Sequence, residues 1–267
     1  MGPGRPLKCY FATNRLSGRS LRANMVNLRI ATAVRTALAA ACIATAGVSS
    51  VAACGPAPPP MRATGGASGS PSATARPAAD GVYGDPEAAA KYWVQQSLED
   101  TCGLASVADV VGEVTGNAPT EKQIIKLAQN TPSVIRDGPI YLPTGDPGHE
   151  TDAGGIDMAD TVVLLEHYGI KSRMIYDTQP DQTGLPALEQ YLGANRKVIA
   201  WVNGGTILDS DDQRTAPDHL LVVTGVDTNT ETVHLNDPYA DHANTKVSIK
   251  RFMTAWKVGQ KSIVVTS

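Results

Sequence analysis

Past residue 100 the hydrophobic pattern of this sequence changes period once: helical spacing comes first and short unbroken apolar runs come last. That order restricts the chain to helices packed on a mostly antiparallel sheet, an α+β arrangement. Leu104, Val107, Val110, Val111 and Val114 recur at three- and four-residue spacing. They predict an apolar helix face over 102–116, capped by Thr101 or Asp100. A second helix is predicted over 120–128, where Thr120 and Gln123 stand at capping-box spacing, and a third over 157–167. Residues 131–156 between them are rich in Pro, Gly, Asp and Thr. They read as a long loop and a candidate cleft rim or lid. Strands are predicted over 171–176, 197–202, 220–226, 232–235, 246–249 and 262–266, with short helices over 185–192 and 250–256. Turn-prone residues 227–230 make 220–226 and 232–235 a hairpin.

The N-terminal part has a different composition. Arg5, Lys8, Arg15, Arg19, Arg22, Arg29 and Arg35 lie in the first 54 residues, which contain no Asp or Glu, and 31–53 is small and apolar apart from Arg35. A basic stretch followed by an apolar one is the layout of an export signal. The apolar part is too short and Ala-rich for a spanning helix. It ends at Val51-Ala-Ala-Cys54-Gly55, the pattern of a bacterial lipobox, in which Cys54 is acylated and tethers the chain to the outer face of the cytoplasmic membrane. Cleavage of an ordinary signal near Ala53, with secretion, is the alternative. Met25 would by itself begin a signal of normal length. Residues 55–82 are dominated by Pro, Gly, Ala and Ser and read as a flexible linker. The remainder, 83–267, is long enough for one domain with its own core. After residue 54 the charge balance is 16 Lys and Arg against 26 Asp and Glu, near −10. With no basic patch, nucleic acid is excluded as a partner.

The chain has four cysteines, Cys9, Cys42, Cys54 and Cys102. The first two leave with the signal and the third is lipidated or lost, so Cys102 is the one thiol expected in the folded domain. A lone thiol in an oxidising compartment is either buried as a small apolar residue or used. Its placement favours use. At the first turn of a helix, the backbone dipole and unsatisfied amides favour the thiolate, which is the nucleophile. Gly103 beside it would let a substrate backbone approach. His219 precedes the 220–226 run, and Asp237, in Asn236-Asp237-Pro238, ends the next strand. Hairpin pairing brings the two close, a base and the carboxylate that orients it. Gln96, six residues before the thiol, has a side-chain amide suited to an oxyanion, with Gln95 competing for that role. His149 with Asp146, Glu150 and Asp152 is a weaker candidate metal cluster, more simply read as a solvated loop. Residues 209–212 read as an exposed acidic loop.

Gln96-x5-Cys102-Gly103, Ala105-Ser106 in the helix, the Asp-His-Leu-Leu-Val-Val strand and the terminal Asn-Asp-Pro together resemble the bacteriocin-processing cysteine peptidases, papain-like enzymes that cut double-glycine leaders. The resemblance covers roughly 90–240. It implies a papain-like fold, a peptide or protein substrate and no cofactor. It also implies Cys102 as nucleophile, His219 as base, Asp237 as orienting residue and Gln96 as oxyanion donor. The best-known members are cytosolic and fused to an ABC exporter, whereas this sequence carries an export signal and no Walker motif. The leader substrate therefore does not carry over. The acidic residue that the family places directly before the nucleophile stands one position earlier, at Asp100. A non-catalytic peptide- or wall-binding module and a thiol acyltransferase or transpeptidase are the alternatives on the same residues.

Overall fold

Strand β4 (His219–Asp227) sets the architecture, because its sequence is apolar on both faces. Every residue from His219 to Val226 is buried, which is what a strand covered by helices on both sides requires. In the computed structural model it is central in an antiparallel sheet. The sheet holds β2 (Ser172–Ile175), β7 (Ile263–Thr266), β3 (Val198–Val202), β4, β5 (Thr232–Asn236) and β6 (Thr245–Ser248) in that order, and β1 (Val82–Gly84) also pairs with β4. The structure describes residues 81–149, 155–210 and 216–267, all in one compact unit. The expected signal 1–54 with Cys54 and Met25, linker residues 55–80, Glu150, Asp152, Asp211 and Asp212 lie outside the described residues. Among the described residues no helix is long and apolar enough to cross a membrane.

Alternation divides the core in two. Leu220, Val222, Ile199 and Val264 pack beneath α2 (Cys102–Thr115), α3 (Glu121–Gln129) and α4 (Met158–His167). Leu221, Val223, Val198, Ala200 and Val265 pack on the other face, against α5 (Leu185–Gly193) and α7 (Ile249–Val258). The expected helices and strands are present to within a few residues. Four elements have no counterpart in the sequence reading: β1, α1 (Pro86–Ala90), a 3-10 turn (Pro180–Gln182) and α6 (Gly204–Ile207). Each is five residues or fewer, too short for periodicity to register. Val82, expected at the end of the linker, is the first residue of β1.

Helix α2 is buried on all sides from Cys102 to Gly112, so it is an interior helix rather than an amphipathic one. Val114, expected on the inward face, is 48% exposed because the helix has left the core by its last turn. Gly116 closes it in the left-handed conformation, its N–H bonded to the Gly112 carbonyl. Among its described residues the loop after α3 has neither helix nor ladder beyond a single Pro132–Pro139 bridge, yet it is pinned. Ile140 and Tyr141 are fully buried. The carboxylate of Asp160 accepts from Ser133 Oγ at 2.8 Å and Val134 N at 2.9 Å.

Candidate active site

The β4–β5 hairpin brings one end of both strands to the head of α2. Asp227 closes the turn, its Oδ1 accepting from Asn229 N at 2.8 Å. Strand pairing runs from Asp227 opposite Thr232 to Val222 opposite Asn236, across an irregularity between Val223 and Gly225. His219 therefore opens β4 at the same end at which Asp237 follows β5. His219 Nε2 lies 2.7 Å from Asp237 Oδ1, with both side chains fully buried. The remaining ring nitrogen, Nδ1, is the one available to Cys102, whose thiol is hydrogen-bonded to the imidazole.

Burial alone would pull the His219 imidazolium down. The Asp237 charge and hydrogen bond, together with the bond to Cys102 and the sulfur's charge, outweigh it and hold the imidazolium well above its ordinary range. Burial would push the Asp237 carboxyl up. The His219 charge and bond and the Tyr239 amide outweigh that and hold it below the usual range. Both directions favour a charged pair. The backbone around Asp237 is itself fixed: Trp93 Nε1 donates to the Asp237 carbonyl at 2.7 Å and Gln96 N to the Pro238 carbonyl at 2.9 Å.

Cys102 is the first residue of α2. Thr101 is its N-cap but makes no side-chain cap, so its hydroxyl does not take up the first-turn amides that favour an anion there. That hydroxyl donates instead to Glu121 Oε1 at 2.8 Å. Glu121 also receives Ser97 N at 2.8 Å and Ser97 Oγ at 2.6 Å. One carboxylate at the start of α3 thus holds the turn between Gln96 and Cys102. Gln96 donates from Nε2 to the Leu98 carbonyl at 2.7 Å. Gln95, its competitor, is exposed and reaches the Ala240 carbonyl.

His219 is backed by a glycine. A Cβ on Gly204 would lie 3.1 Å from His219 Cβ, and the Gly204 amide donates to Asp218 Oδ1 at 2.8 Å. The sequence alone gives no site role to Trp93, Glu121 or Gly204, and it places Asp218 only as the residue before His219 in the strand motif. Only Asp218, beside the candidate base, carried a local signal.

Two expectations are corrected. Gly103 does not open a path for substrate. It is buried, and a Cβ there would lie 2.6 Å from Ile156 Cγ1 and 2.8 Å from Leu220 Cδ1, so it lets the nucleophile helix sit down on the core. Overpacking costs about 1–3 kcal/mol, against a gain of up to about 1 kcal/mol from alanine's helix propensity. Gly103→Ala is therefore expected to be less stable than wild type in urea denaturation. His149 is not a solvated loop residue, and Asp100 is not the cap of α2, which is Thr101. His149 Nε2 lies 2.6 Å from Asp100 Oδ2, and Tyr141 Oη donates to Asp100 Oδ1 at 3.3 Å. The Asp146 Oδ1 of the candidate cluster accepts from Gly148 N. Among the described residues no group of three His, Cys, Asp or Glu side chains is placed to hold a metal.

A cysteine at the head of an interior helix, facing an imidazole and a carboxylate carried by neighbouring antiparallel strands, defines a papain-like α+β fold and a cysteine-peptidase type of site. The model of the Peptidase_C39 like family matches residues 87–263. An uncharacterised protein of Mycobacterium tuberculosis is 41% identical over 201 residues, covering 71% of this chain and 86% of that protein. The chain belongs to the Peptidase_C39-like family, which bears out the resemblance to bacteriocin-processing cysteine peptidases at the level of the family. Among solved structures it is similar to a C39-like peptidase from Bacillus anthracis, at 18% identity, 66% of this chain, 93% of that chain and a TM-score of 0.44. It is also similar to a double-glycine-motif protease of an AMS/PCAT transporter in complex with its leader peptide, at 14% identity, 65% of this chain, 89% of that chain and a TM-score of 0.40.

Proposed function

We propose that this protein is an exported thiol hydrolase that cleaves peptide or amide bonds. Cys102 is the nucleophile, His219 the general base and acid, Asp237 the residue that fixes the imidazole, and Gln96 with the first-turn amides the oxyanion donor. The observation that carries this reading is the fully buried His219–Asp237 contact of 2.7 Å with the Cys102 thiol on the same ring. In the resting pair the thiol proton sits on the imidazole. The thiolate attacks the carbonyl carbon, charge develops on the carbonyl oxygen, and His219 delivers the proton to the leaving amine. Water, activated by the now neutral imidazole, then releases the acyl group from sulfur. Asp237 keeps Nε2–H as the donor, so that Nδ1 handles every proton transfer.

Residues 1–54, basic then apolar and ending at Cys54, support export with a lipid anchor at Cys54. The Pro- and Gly-rich stretch after it supports a domain held off the outer face of the cytoplasmic membrane. A peptide or protein is the substrate class, and no cofactor takes part.

The test is a peptide library incubated with the protein before and after alkylation by iodoacetamide, with products identified by mass spectrometry and an added amine as competing acceptor. Cleavage to free acids that alkylation abolishes is expected. Amides of the added amine would mark an acyltransferase. Cleavage unaffected by complete alkylation of Cys102 overturns the reading.

A further inference from the structure

Seven residues into α2 from Cys102, two full turns along the helix, a carboxylic acid lies in the core. Asp109 is 1% exposed. Its Oδ2 accepts from Asn236 Nδ2 at 2.8 Å, and Asn236 Nδ2 also donates to the Ala89 carbonyl at 3.1 Å. Asn236 Oδ1 accepts from Asn244 N at 3.2 Å. Asn236 is the last residue of β5 and the immediate neighbour of Asp237.

One helical turn further on, Glu113 is also buried, its side chain 4% exposed, with Oε2 on Lys197 Nζ at 3.0 Å. Asp109 and Glu113 stand four residues apart on α2, one turn from each other, and the charge of Glu113 acts on Asp109. The oxygens not engaged by Asn236 or Lys197, Asp109 Oδ1 and Glu113 Oε1, are each buried and without a hydrogen-bond partner among the described residues. Two carboxylates would set acceptor against acceptor, with two negative charges in the core beside one ammonium. A single proton between them makes the contact a donor–acceptor bond and leaves one negative charge for Lys197. Burial, then the charge of Glu113, places that proton on Asp109 by raising its carboxyl well above the usual range, against the smaller lowering influence of Asn236 and Lys197. Among the described residues, Glu113 and Lys197 are the charged groups named as acting on it.

We propose that Asp109 is a positioning residue for this site: as a neutral acid sharing its proton with Glu113, it presents a carbonyl oxygen to Asn236 and so locks the end of β5 that carries Asp237 onto the helix that carries Cys102. The shared proton stands independently of any activity, whereas the consequence for turnover rests on the catalytic reading above.

Two substitutions separate the parts. Asp109→Asn copies the neutral acid, with an amide N–H toward Glu113 and a carbonyl toward Asn236. Asp109→Leu keeps the bulk and removes both. The folded wild type retains a proton that the unfolded chain loses above about pH 4, so this group lowers stability as pH rises through its folded value. Thermal melts from about pH 5 to about pH 9 are expected to show the Tm of wild type falling relative to that of Asp109→Asn, which has no such proton. On a cleaved peptide, Asp109→Asn is expected to hold kcat within about twofold. Asp109→Leu is expected to lose roughly ten- to a hundredfold in kcat with KM little changed, because Asp237 moves against His219. Should Asp109→Leu not fold, Asn236→Ala cuts the same link from the strand side and is expected to show the same kcat loss.

A pH-independent difference in Tm between wild type and Asp109→Asn overturns the shared proton. Wild-type kcat in Asp109→Leu or Asn236→Ala, or a loss in Asp109→Asn equal to that in Asp109→Leu, overturns the positioning role. Undiminished cleavage by alkylated enzyme would instead sink the catalytic reading, with the melting comparison still standing.

Discussion

Cys102→Ala is expected to abolish peptide cleavage while the protein still folds, and His219→Ala is expected to lower kcat by about 10²–10⁴ and to weaken the fold as well. The first follows from chemistry: no other thiol lies among the described residues, and alanine cannot form the acyl intermediate. The second has two parts. General acid–base assistance is worth about 10²–10⁴ in rate, and the thiolate loses the imidazolium that stabilises it. Asp237, meanwhile, is fully buried. Without His219 its Oδ1 keeps only the Tyr239 amide, at 2.9 Å. Removing one partner of a buried ion pair costs about 3–5 kcal/mol, because the other charge stays in the core. Single-turnover kinetics on a cleaved peptide and urea denaturation near neutral pH measure the two effects. A His219→Ala protein as active as wild type removes the general base from the mechanism. One as stable as wild type shows that the pair is not charged.

Most of the fold could be read from the chain because its long elements follow their own periods. The Cys102 helix carries apolar residues at three- and four-residue spacing and ends at a glycine. The β4–β5 hairpin is an apolar run, a turn around Asp227 and a second run, and this pairing places His219 beside Asp237. Hidden features depended on contacts between segments distant in sequence. Glu121 looks like an ordinary first-turn acid, and nothing local shows that it grips Ser97 and Thr101, some twenty residues earlier. Gly103 beside a nucleophile suggests access, but only the approach of Ile156 and Leu220 shows that it serves packing. Asp109 left a faint trace as a charged residue in the middle of a mostly apolar helix, four positions before Glu113. His149, among acidic neighbours in sequence, reads as a solvated loop residue, whereas its partner, Asp100, lies 49 residues away.

The Asp237–His219 pair gives stability and activity a common pH signature, and Asp237→Ala is expected to erase both. The Asp237 carboxyl is held below its usual range, so its stabilisation is present above about pH 4 and is lost as pH falls through the folded value. The His219 imidazolium is held above its usual range, so its stabilisation is complete below about pH 6.5 and is lost as pH rises through the folded value. The pair therefore contributes most between those limits and less on either side. In Asp237→Ala the imidazole keeps its burial, which lowers its proton affinity, and loses the largest influence that raised it. The stability difference from wild type is expected to peak inside the window at about 3–5 kcal/mol and to shrink toward acid and alkali. Turnover falls by about 10²–10⁴. What remains shows an alkaline limb at lower pH, because that limb reports loss of the imidazolium proton. Denaturation across a pH series and kcat/KM–pH profiles of both proteins decide it. A stability difference that stays flat with pH, or an alkaline limb that does not move, means that Asp237 does not set the charge of His219, and the carboxylate is then only packing.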